Sequence, residues 1–505
     1  MEVLQNLLTG LSVSLSLINV WYCFLGCLLG TLIGVLPGLG PTATIALLLP
    51  MTFSLPPVTA IIMLAGIYYG AMYGGSTTSI LVNIPGEAAS VVTCLDGYQM
   101  ARRGRAGAAL GISAFGSFIA GTIAVFGLAL VAPAVAEFAL KFGAPEYFSL
   151  VCLGLVGVTF LSQGSMLKSL MMIVLGLLFS TVGRDIITGE ARFRYGFFEL
   201  EDGLGFIPII MGLFGVSEIL LNLESLAAAK RDVYSQKIKG LLPTLADWRR
   251  SIGPILRGSV LGFFMGVLPG GGAVLGSFGS YALEKKVSRH SKEFGKGAIE
   301  GVAGPEAANN AASQGAFIPL LTLGIPSNSV MALLVGALIV HGLQPGPLLM
   351  NQAPDLFWGV ITSMYLGNAL LLVLNLPLIG LWVRMLKVPY PTLFPLILMF
   401  CLIGAYSLNY NVFDIYLMAV FGALGYVLRK LEFEPTPLIL AFVLGPLMED
   451  KLRQALLIYG GDPTVFFTRP LSAVFLVTAL VLLALQVLPN LRKVKSKALQ
   501  DSEPL

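Results

Sequence analysis

The chain has 505 residues, of which 56% are hydrophobic and only 11% are charged. Soluble globular domains carry about 25% charged residues, so this composition indicates an integral membrane protein. The net charge of +4 is small and lies in loops, which argues against a nucleic-acid-binding surface. After Glu2, the next charged residue is Glu87.

Apolar runs long enough to cross a bilayer recur along the chain. A span needs about 20 apolar residues, and we predict about 10–12 transmembrane helices, some of them broken or re-entrant. The predicted fold class is therefore an all-α polytopic membrane protein. In chain order the predicted spans cover residues 12–36, 58–83, 107–134, 147–164, 166–182, 205–226, 252–275, 312–342 (as a hairpin), 355–385, 391–408, 412–429 and 470–488.

The first predicted span ends in a Gly-Pro-Gly cluster that recurs in the second half of the chain. The two phrases are GVLPGLG at residues 34–40 and GVLPGGG at residues 266–272. A bilayer tolerates such a helix break only where protein or a water-filled cavity satisfies the freed backbone groups. A duplicated break points to a binding site between two related halves. The residues predicted to shape that cavity are Gly34, Pro37, Gly38, Gly40, Gly266, Pro269, Gly270 and Gly272.

Two further landmarks follow the break in the same order in both halves. Residues 83–87 (NIPGE) correspond to 324–328 (GIPSN), and residues 96–99 (DGYQ) correspond to 341–344 (HGLQ). The predicted organisation is a first repeat (1–229), a basic cytoplasmic linker (230–250), a second repeat (251–389), additional C-terminal transmembrane helices (390–490) and a cytoplasmic tail (491–505).

The charges of equivalent loops predict that the two repeats are inverted. Basic residues favour short cytoplasmic loops. The segment after the first Gly-Pro break, residues 50–57, carries no charge, whereas residues 284–290 after the second are basic. The third landmark shows the reverse, with a basic run at 102–105 and none at 345–347. Inverted repeats containing broken helical hairpins are characteristic of secondary transporters.

The second landmark of each half reads as the tip of a helical hairpin. Proline stops a helix, and a small polar residue after it suits the start of a new half-helix. An inward-facing helix N-terminus offers free N–H groups and a positive dipole end to a carboxylate. The predicted substrate-binding residues are Ser76, Thr77, Thr78, Asn83, Pro85, Gly86, Asn309, Asn310, Pro326, Ser327, Asn328 and Ser329.

Three residues are candidates for binding a coupling ion: Glu306, Ser79 and Thr322. An intramembrane carboxylate is costly and by default marks a functional site, although Glu306 also fits a position at the membrane boundary. Na⁺ at the hairpin tips is the metal considered, since hard ions prefer oxygen ligands. Packing is the alternative for any single Gly, Ser or Thr, because small residues let transmembrane helices approach closely. For Glu87 and Asp96, the sequence is equally consistent with a role in the site and with solvated charges in a loop.

Four long motifs resemble the large membrane subunit (TctA) of the tripartite tricarboxylate transporters: residues 34–40, 69–89, 95–102 and 304–310. The resemblance implies a multi-pass secondary transporter of the bacterial cell inner membrane, and not an enzyme. It implies two protein partners, a small membrane subunit (TctB-like) and a periplasmic solute-binding protein (TctC-like). It also implies uptake of citrate or other carboxylates driven by a Na⁺ or H⁺ gradient, with no cofactor.

One position departs from the family pattern. After Ile325-Pro326 the family usually shows Gly-Ser-Ala or similar, whereas this chain has the bulkier Ser327-Asn328-Ser329. If that tip touches substrate, the difference favours a carboxylate other than citrate. On this interpretation Asn83→Ala or Asn328→Ala abolishes uptake without loss of expression.

The charge of the implied substrate requires coupling. Moving one negative charge inward against about 100 mV costs roughly 2.3 kcal/mol, so a trianion costs about 7 kcal/mol. Because no Lys or Arg lies near either tip in the sequence, we expect helix N-termini and neutral donors to hold the carboxylates. Two alternatives stay open: a channel, whose pore needs charged or carbonyl rings, and a membrane-embedded enzyme, which needs clustered histidines or paired carboxylates.

Overall fold

The computed structural model describes residues 2–36, 40–161, 165–185, 187–226, 238, 240–270, 272–386 and 390–487. It is an all-α polytopic membrane protein, as predicted. Residues 227–229 of the first repeat, residues 230–237 and 239 of the linker, the tail, and the Pro37 and Gly38 positions lie outside the described residues. Across the described ranges the only strands are Gly183–Arg184 (β1) and Ala191–Arg192 (β2), which form a short antiparallel hairpin.

In the described part of the chain, ten helices precede the linker. They are Glu2–Ser14 (α1), Leu17–Gly34 (α2), Pro41–Leu48 (α3), Pro57–Val82 (α4), Val91–Thr93 (α5), Ala106–Ala139 (α6), Ala144–Leu161 (α7), Met166–Ser180 (α8), Phe206–Ile210 (α9) and Ser217–Leu226 (α10). Short π-helical segments at Cys94–Tyr98 and Ala101–Arg105 connect α5 to α6, and another at Met211–Val216 connects α9 to α10.

Thirteen helices begin at residue 245 or later in the described ranges. They are Leu245–Val267 (α11), Gly272–Val287 (α12), Glu300–Gly315 (α13), Phe317–Leu323 (α14), Ser329–Val340 (α15), Leu349–Gln352 (α16), Pro354–Asn375 (α17), Ile379–Met385 (α18), Tyr390–Asn409 (α19), Val412–Lys430 (α20), Thr436–Ile458 (α21), Val465–Thr468 (α22) and Pro470–Val487 (α23).

Among the described residues, six helical segments are long and apolar enough to cross a membrane, and several shorter apolar helices accompany them. The six are Leu17–Gly34, Pro57–Val82, Ala101–Ala139, Phe206–Glu224, Pro354–Asn375 and Val412–Lys430. The predicted spans missed α21 and most of α13. Both helices carry charged residues, Glu300 and Glu306 in α13 and residues 449–453 in α21, and these charges hide their helical runs from a search for apolar spans.

The chain leaves the helical conformation at both Gly-Pro motifs. Helix α2 ends at Gly34 and α3 begins at Pro41, while α11 ends at Val267 and α12 begins at Gly272. Gly270 has a φ of 104°, a conformation that side chains with a Cβ rarely adopt. Proline at the first position of α3 suits a helix start, where the missing N–H is not needed.

The same close helix–helix packing occurs in both halves of the duplication, and glycines at matching positions allow it. Gly26, Gly30 and Gly34 of α2 lie against backbone of Met63, Ile67 and Ala71 in α4. In the second half, Gly258, Gly262 and Gly266 of α11 lie in the same way against Gly304, Ala308 and Ala312 in α13. Such close approach of two backbones requires small residues at the interface. The duplication therefore extends from sequence to packing.

The two hairpin tips also share a backbone path. Asn83 ends α4 with a φ of 58°, and Gly324 ends α14 with a φ of 71°. Each tip then passes through Ile-Pro and starts a new helix, after Glu87 in the first half and after Asn328 in the second. Left-handed residues at helix C-termini are usually Gly and sometimes Asn, which is the pair found here.

Candidate functional site

Each hairpin tip contacts the core helix of the opposite half. The Nδ2 atom of Asn309 in α13 donates to Oε1 of Glu87 in the first tip at 2.9 Å. In the other direction, the Tyr68 hydroxyl of α4 interacts with the side chain of Asn328 in the second tip. These four residues form the tip cluster. These two contacts are related by an approximate two-fold symmetry between the halves. They bring the starts of the two new helices close together.

In the first tip a carboxylate of the chain itself caps the new helix. The Ala89 amide donates to Oε2 of Glu87 at 2.6 Å, and Ser90 completes a capping box with the Glu87 backbone. Glu87 is 9% exposed, so it is a buried carboxyl group and not a solvated loop residue. It occupies the positive end of the helix dipole, the position expected from the sequence to receive substrate.

The second tip starts its helix with a neutral cap. The Met331 amide donates to Oδ1 of Asn328 at 2.9 Å. The Ser329 hydroxyl lies 2.8 Å from that of Thr42 in α3, which joins this helix start to the Gly-Pro hairpin of the first half. The Gly270 amide donates to the Ser327 carbonyl at 2.7 Å, so the second break also supports this tip. The N-terminus of α15 therefore carries no negative charge from its own cap.

Two buried polar atoms beside the tips have no hydrogen-bond partner among the described residues. They are the Ser327 hydroxyl and Oδ1 of Asn309. Both residues are 1% exposed. Buried polar groups are almost always paired, so unpaired atoms at this place indicate a site that a polar ligand completes.

A second buried carboxylate, Glu306, lies in α13 and is 1% exposed. Hydroxyls from three helical segments surround it. Ser76 of α4 donates at 2.5 Å, Ser113 of α6 donates at 3.1 Å, and Thr93 of α5 also donates. These four residues form the Glu306 cluster. Glu306 is thus enclosed within the helical core.

The comparisons with known proteins agree with this architecture. The model of the tripartite tricarboxylate transporter TctA family matches residues 20–440. The chain belongs to this family. It is 55% identical over 503 residues, the full length of both chains, to an uncharacterized 52.8 kDa protein in the TAR-I ttuC' 3' region of Agrobacterium vitis. It is also 56% identical over 242 residues to an uncharacterized protein in the TAR-II ttuC' 3' region of the same organism. The second match spans 48% of this chain and all of the relative. No solved structure matches.

Other predicted binding residues of this TctA family member lie in the core, but their side chains form hydrogen bonds with other groups of the chain. Thr78 donates to the Val35 carbonyl at 2.8 Å, which satisfies a group freed by the first helix break. Thr77 bonds its own helix at Tyr73. Asn310 donates to Ser117 at 2.7 Å and to the Glu306 carbonyl at 3.1 Å.

Each of the remaining predicted residues lies either at a hairpin tip or at a helix-packing position. Of the coupling candidates, Ser79 donates to Ser90 at 2.9 Å beneath the first tip, whereas Thr322 bonds only its own helix at Ile318. Asn83 is exposed, Pro85 is half-buried, and Pro326 is buried. Gly86 packs against Gly75 and Gly34, and Gly272 packs against Gly266. A Cβ at Gly40 would meet no atom within 4 Å, and Pro269 is half-buried.

Neither buried carboxylate has a cationic partner. Among the residues that the structure describes, the groups acting on Glu87 and Glu306 are backbone amides, an amide side chain, hydroxyls and the other carboxylate. The same described ranges contain no group of three His, Cys, Asp or Glu residues placed to hold a metal ion. The electrostatics of the family site therefore depend on neutral donors.

Sequence reasoning missed Thr93 and Ser113 of the Glu306 cluster, Tyr68 of the tip cluster, and Thr42, the partner of Ser329. Their residue types are common in packed transmembrane helices, and their partners are distant in the chain. The one available signal was Ser113, a polar residue in the long apolar run of α6. Asp96 was also underestimated, since it is buried and accepts hydrogen bonds from the Gly297 and Ala298 amides.

A larger cavity of about 450 Å³ lies at the far end of α15 from the tips. Its lining includes Arg184 and Arg192, which pair with Glu201 at 2.6 Å and with Glu449 at 2.7 Å. Because both arginines are already paired, this cavity offers a carboxylate less than the start of α15 does, where the helix cap is neutral.

Proposed function

We propose that this protein is the large transmembrane subunit of a binding-protein-dependent secondary transporter that imports tricarboxylates or related organic acids. Membership of the TctA family supports transport of this substrate class. The proposed location is the bacterial inner membrane. The proposed mechanism is alternating access at the tip cluster, coupled to a gradient of Na⁺ or H⁺.

The contrast between the two helix starts carries the proposal for the substrate site. The N-terminus of α15 has a neutral cap in Asn328, and the adjacent Ser327 hydroxyl is buried without a partner. Free N–H groups and the dipole at a helix N-terminus favour an anion. At the first tip, Glu87 already supplies the negative charge. A substrate carboxylate is therefore proposed to bind at the second tip, near Asn309.

Neutral donors suit a transporter that must release its substrate. A buried ion pair with Lys or Arg holds a carboxylate tightly, and breaking it leaves an uncompensated charge. Amide and hydroxyl donors bind more weakly, since each hydrogen bond contributes about 0.5–1.5 kcal/mol net. The tips thus combine specificity for an anion with an affinity that permits release.

Two partners complete the proposal. The tripartite system named by the family description supports a small membrane subunit (TctB-like) and a periplasmic solute-binding protein (TctC-like). The binding protein would deliver a captured carboxylate to the large subunit. We therefore expect uptake to require all components.

Uptake of radiolabelled organic acids into proteoliposomes containing both membrane subunits, with the binding protein added, tests the function. We expect Ser327→Ala and Asn328→Ala each to reduce uptake at least tenfold. The matched control is Ser407→Ala, which removes an exposed hydroxyl bonded only to its own helix at 2.6 Å. Normal uptake by both tip variants would exclude the second tip as the substrate site.

A further inference from the structure

The hydrogen-bond partners of Glu306 differ in kind from those of Glu87. Both oxygens of Glu87 accept from N–H groups, the Ala89 amide and the Asn309 side chain. An N–H group donates only, so these partners favour a carboxylate that stays ionised. All side-chain partners of Glu306 are hydroxyls, which both donate and accept. Glu306 can therefore keep its hydrogen bonds with or without a proton.

Ser76 provides the alternative acceptor that a change of protonation needs. When Glu306 is ionised, the Ser76 hydroxyl donates to the carboxylate at 2.5 Å. When Glu306 is protonated, its O–H donates to Ser76 instead, and the Ser76 hydrogen turns to the Met72 carbonyl, 3.1 Å away. Neither state leaves a buried polar group unpaired, so the cluster does not oppose the exchange.

The same contacts favour a proton over a metal ion at this place. The hydroxyl oxygens of Ser76 and Ser113 bond the Glu306 oxygens directly, at 2.5 and 3.1 Å. A cation such as Na⁺ would have to separate these atoms, whereas a proton fits between two hydrogen-bonded oxygens. The charge of Glu306 acts on the neighbouring Glu87 carboxyl group, so two negative charges in this place are unfavourable.

A small cavity lies beside Ser113. Its volume is about 10 Å³, which is room for about one water molecule. Tyr73, Thr77, Ser113 and Asn375 contribute its polar lining. The Tyr73 hydroxyl and Oδ1 of Asn375 have no hydrogen-bond partner among the described residues, although both residues are at most 5% exposed. Two unpaired polar atoms around a water-sized space indicate a bound water.

We propose that Glu306 binds and releases the proton that drives transport, and that water in the cavity beside Ser113 carries this proton to and from it. The proposal rests on the proposed transport function, of which it names the coupling ion. A proton from bulk water forms the O–H bond on Glu306 and returns to bulk water on the other side, so the cycle consumes no other reactant.

The charged and titratable groups around Glu306 are consistent with this role. Glu306 acts electrostatically on Tyr73 of α4, on Cys94 after α5 and on Glu87. On the other side of α13, Glu284 of α12 lies against Gly304 and is paired with Arg257 at 2.6 Å. Asp96 lies against Gly301. Within the described ranges, none of these groups supplies Glu306 with a positive charge.

Infrared difference spectroscopy of the reconstituted complex, recorded between acid and alkaline pH without substrate, tests the proton site directly. We expect a carbonyl band of a protonated carboxyl group that titrates, and that is lost in Glu306→Gln. The control is Glu137→Gln, which changes an exposed carboxylate on α6 and should leave the band in place. A titrating band that persists in full in Glu306→Gln, or no titrating band in the unmodified protein, would overturn the proposal.

The pH profile of uptake in sodium-free choline buffer separates coupling from a structural role. We expect uptake by the unmodified complex to fall as pH rises, Glu306→Asp to keep that dependence, and Glu306→Gln to lose it. An unchanged profile in Glu306→Gln, or an absolute requirement for sodium, would contradict the proposal. If no carboxylate is transported under any gradient, the proposed function fails, while the infrared result still decides whether Glu306 titrates.

Filling the cavity tests the water path. Asn375→Leu places an apolar side chain against Tyr73 and Ser113, and we expect the uptake rate to fall about tenfold with the infrared band retained at equilibrium. An unchanged rate would remove the cavity from the path. Ile379→Val, which enlarges the same cavity slightly, is the matched control and should keep the rate.

Discussion

The two hairpin tips share a backbone and differ in the charge at their helix starts. Asn83 and Gly324 occupy the same left-handed position, and Pro85 and Pro326 the same place in the turn. The helix of the first tip, however, is capped by a carboxylate, and that of the second by the amide of Asn328. The two copies of the backbone thus differ in electrostatics, because one positive helix end is neutralised within the chain and the other remains available to a ligand.

The largest expected effect comes from making the second tip resemble the first. Asn328→Asp keeps a good helix cap but places a negative charge where the substrate carboxylate is proposed to bind. A like-charge contact costs several kcal/mol, so we expect uptake to fall about a hundredfold without loss of folding. Proteoliposome uptake measures this. Asn328→Ser, a neutral cap, should retain far more activity, and equal losses in both variants would argue against the charge explanation.

Glycine substitutions test where the halves remain equivalent. A Cβ at Gly30 would meet backbone of Ile67, and one at Gly262 would meet backbone of Ala308. Overpacking of this kind costs about 1–3 kcal/mol, so we expect Gly30→Ala and Gly262→Ala to lower the unfolding temperature by similar amounts.

Gly279→Ala is the control for both, since its nearest contact is Leu261 at an ordinary 3.5 Å. Thermal unfolding of the purified protein in detergent compares the three. A large loss in only one half would show that the shared packing has diverged in strength.

The crossed contacts of the tip cluster should differ in strength because only one involves a charge. Asn309→Ala removes a donor from the buried Glu87 carboxylate, and hydrogen bonds to charged groups contribute about 1.5–3 kcal/mol. Tyr68→Phe removes only a contact to the neutral Asn328, for which about 0.5–1.5 kcal/mol is expected. Denaturant unfolding of both variants gives the two free energies, and equal values would contradict the asymmetry.

The smallest effect is expected at Asn83. Its side chain is exposed and its φ is positive, so its role is explained by backbone conformation, which Gly324 fulfils in the other half. Asn83→Gly should therefore retain uptake within about twofold, whereas Asn83→Ala strains the turn by about 1 kcal/mol. Uptake by the two variants distinguishes the roles, and a large loss in Asn83→Gly would place the side chain in the substrate site.

Much of the architecture could be predicted from the sequence because it depends on local chemistry. Glycine and proline at residues 34–40 and 266–272 break a helix wherever they occur, and Ile-Pro followed by a polar residue starts a new one. The long apolar runs predict the membrane spans by length alone. The predicted boundaries fail mainly at α13 and α21, where charged residues interrupt the apolar pattern.

The site could be predicted only in outline. The sequence pointed to Ser76, Asn309, Asn328 and Glu306, yet it assigned both tips to substrate and left open whether Glu306 lies at the membrane boundary. Its surroundings come from residues far apart in the chain, such as Thr93 and Ser113, whose types are common in any packed helix. Pairing between distant residues depends on helix position and rotation, which composition does not reveal.

The sequence by itself determined the helical class, the duplicated breaks and the family, since these follow from local propensity and from long motifs. Only the tertiary structure decided which helix start keeps its positive end, because the burial of Glu87 and its bond to Asn309 depend on contact between the halves. The same contact encloses Glu306 among hydroxyls without a counter-cation. The role of a charged residue in a membrane protein therefore depends on the groups that surround it.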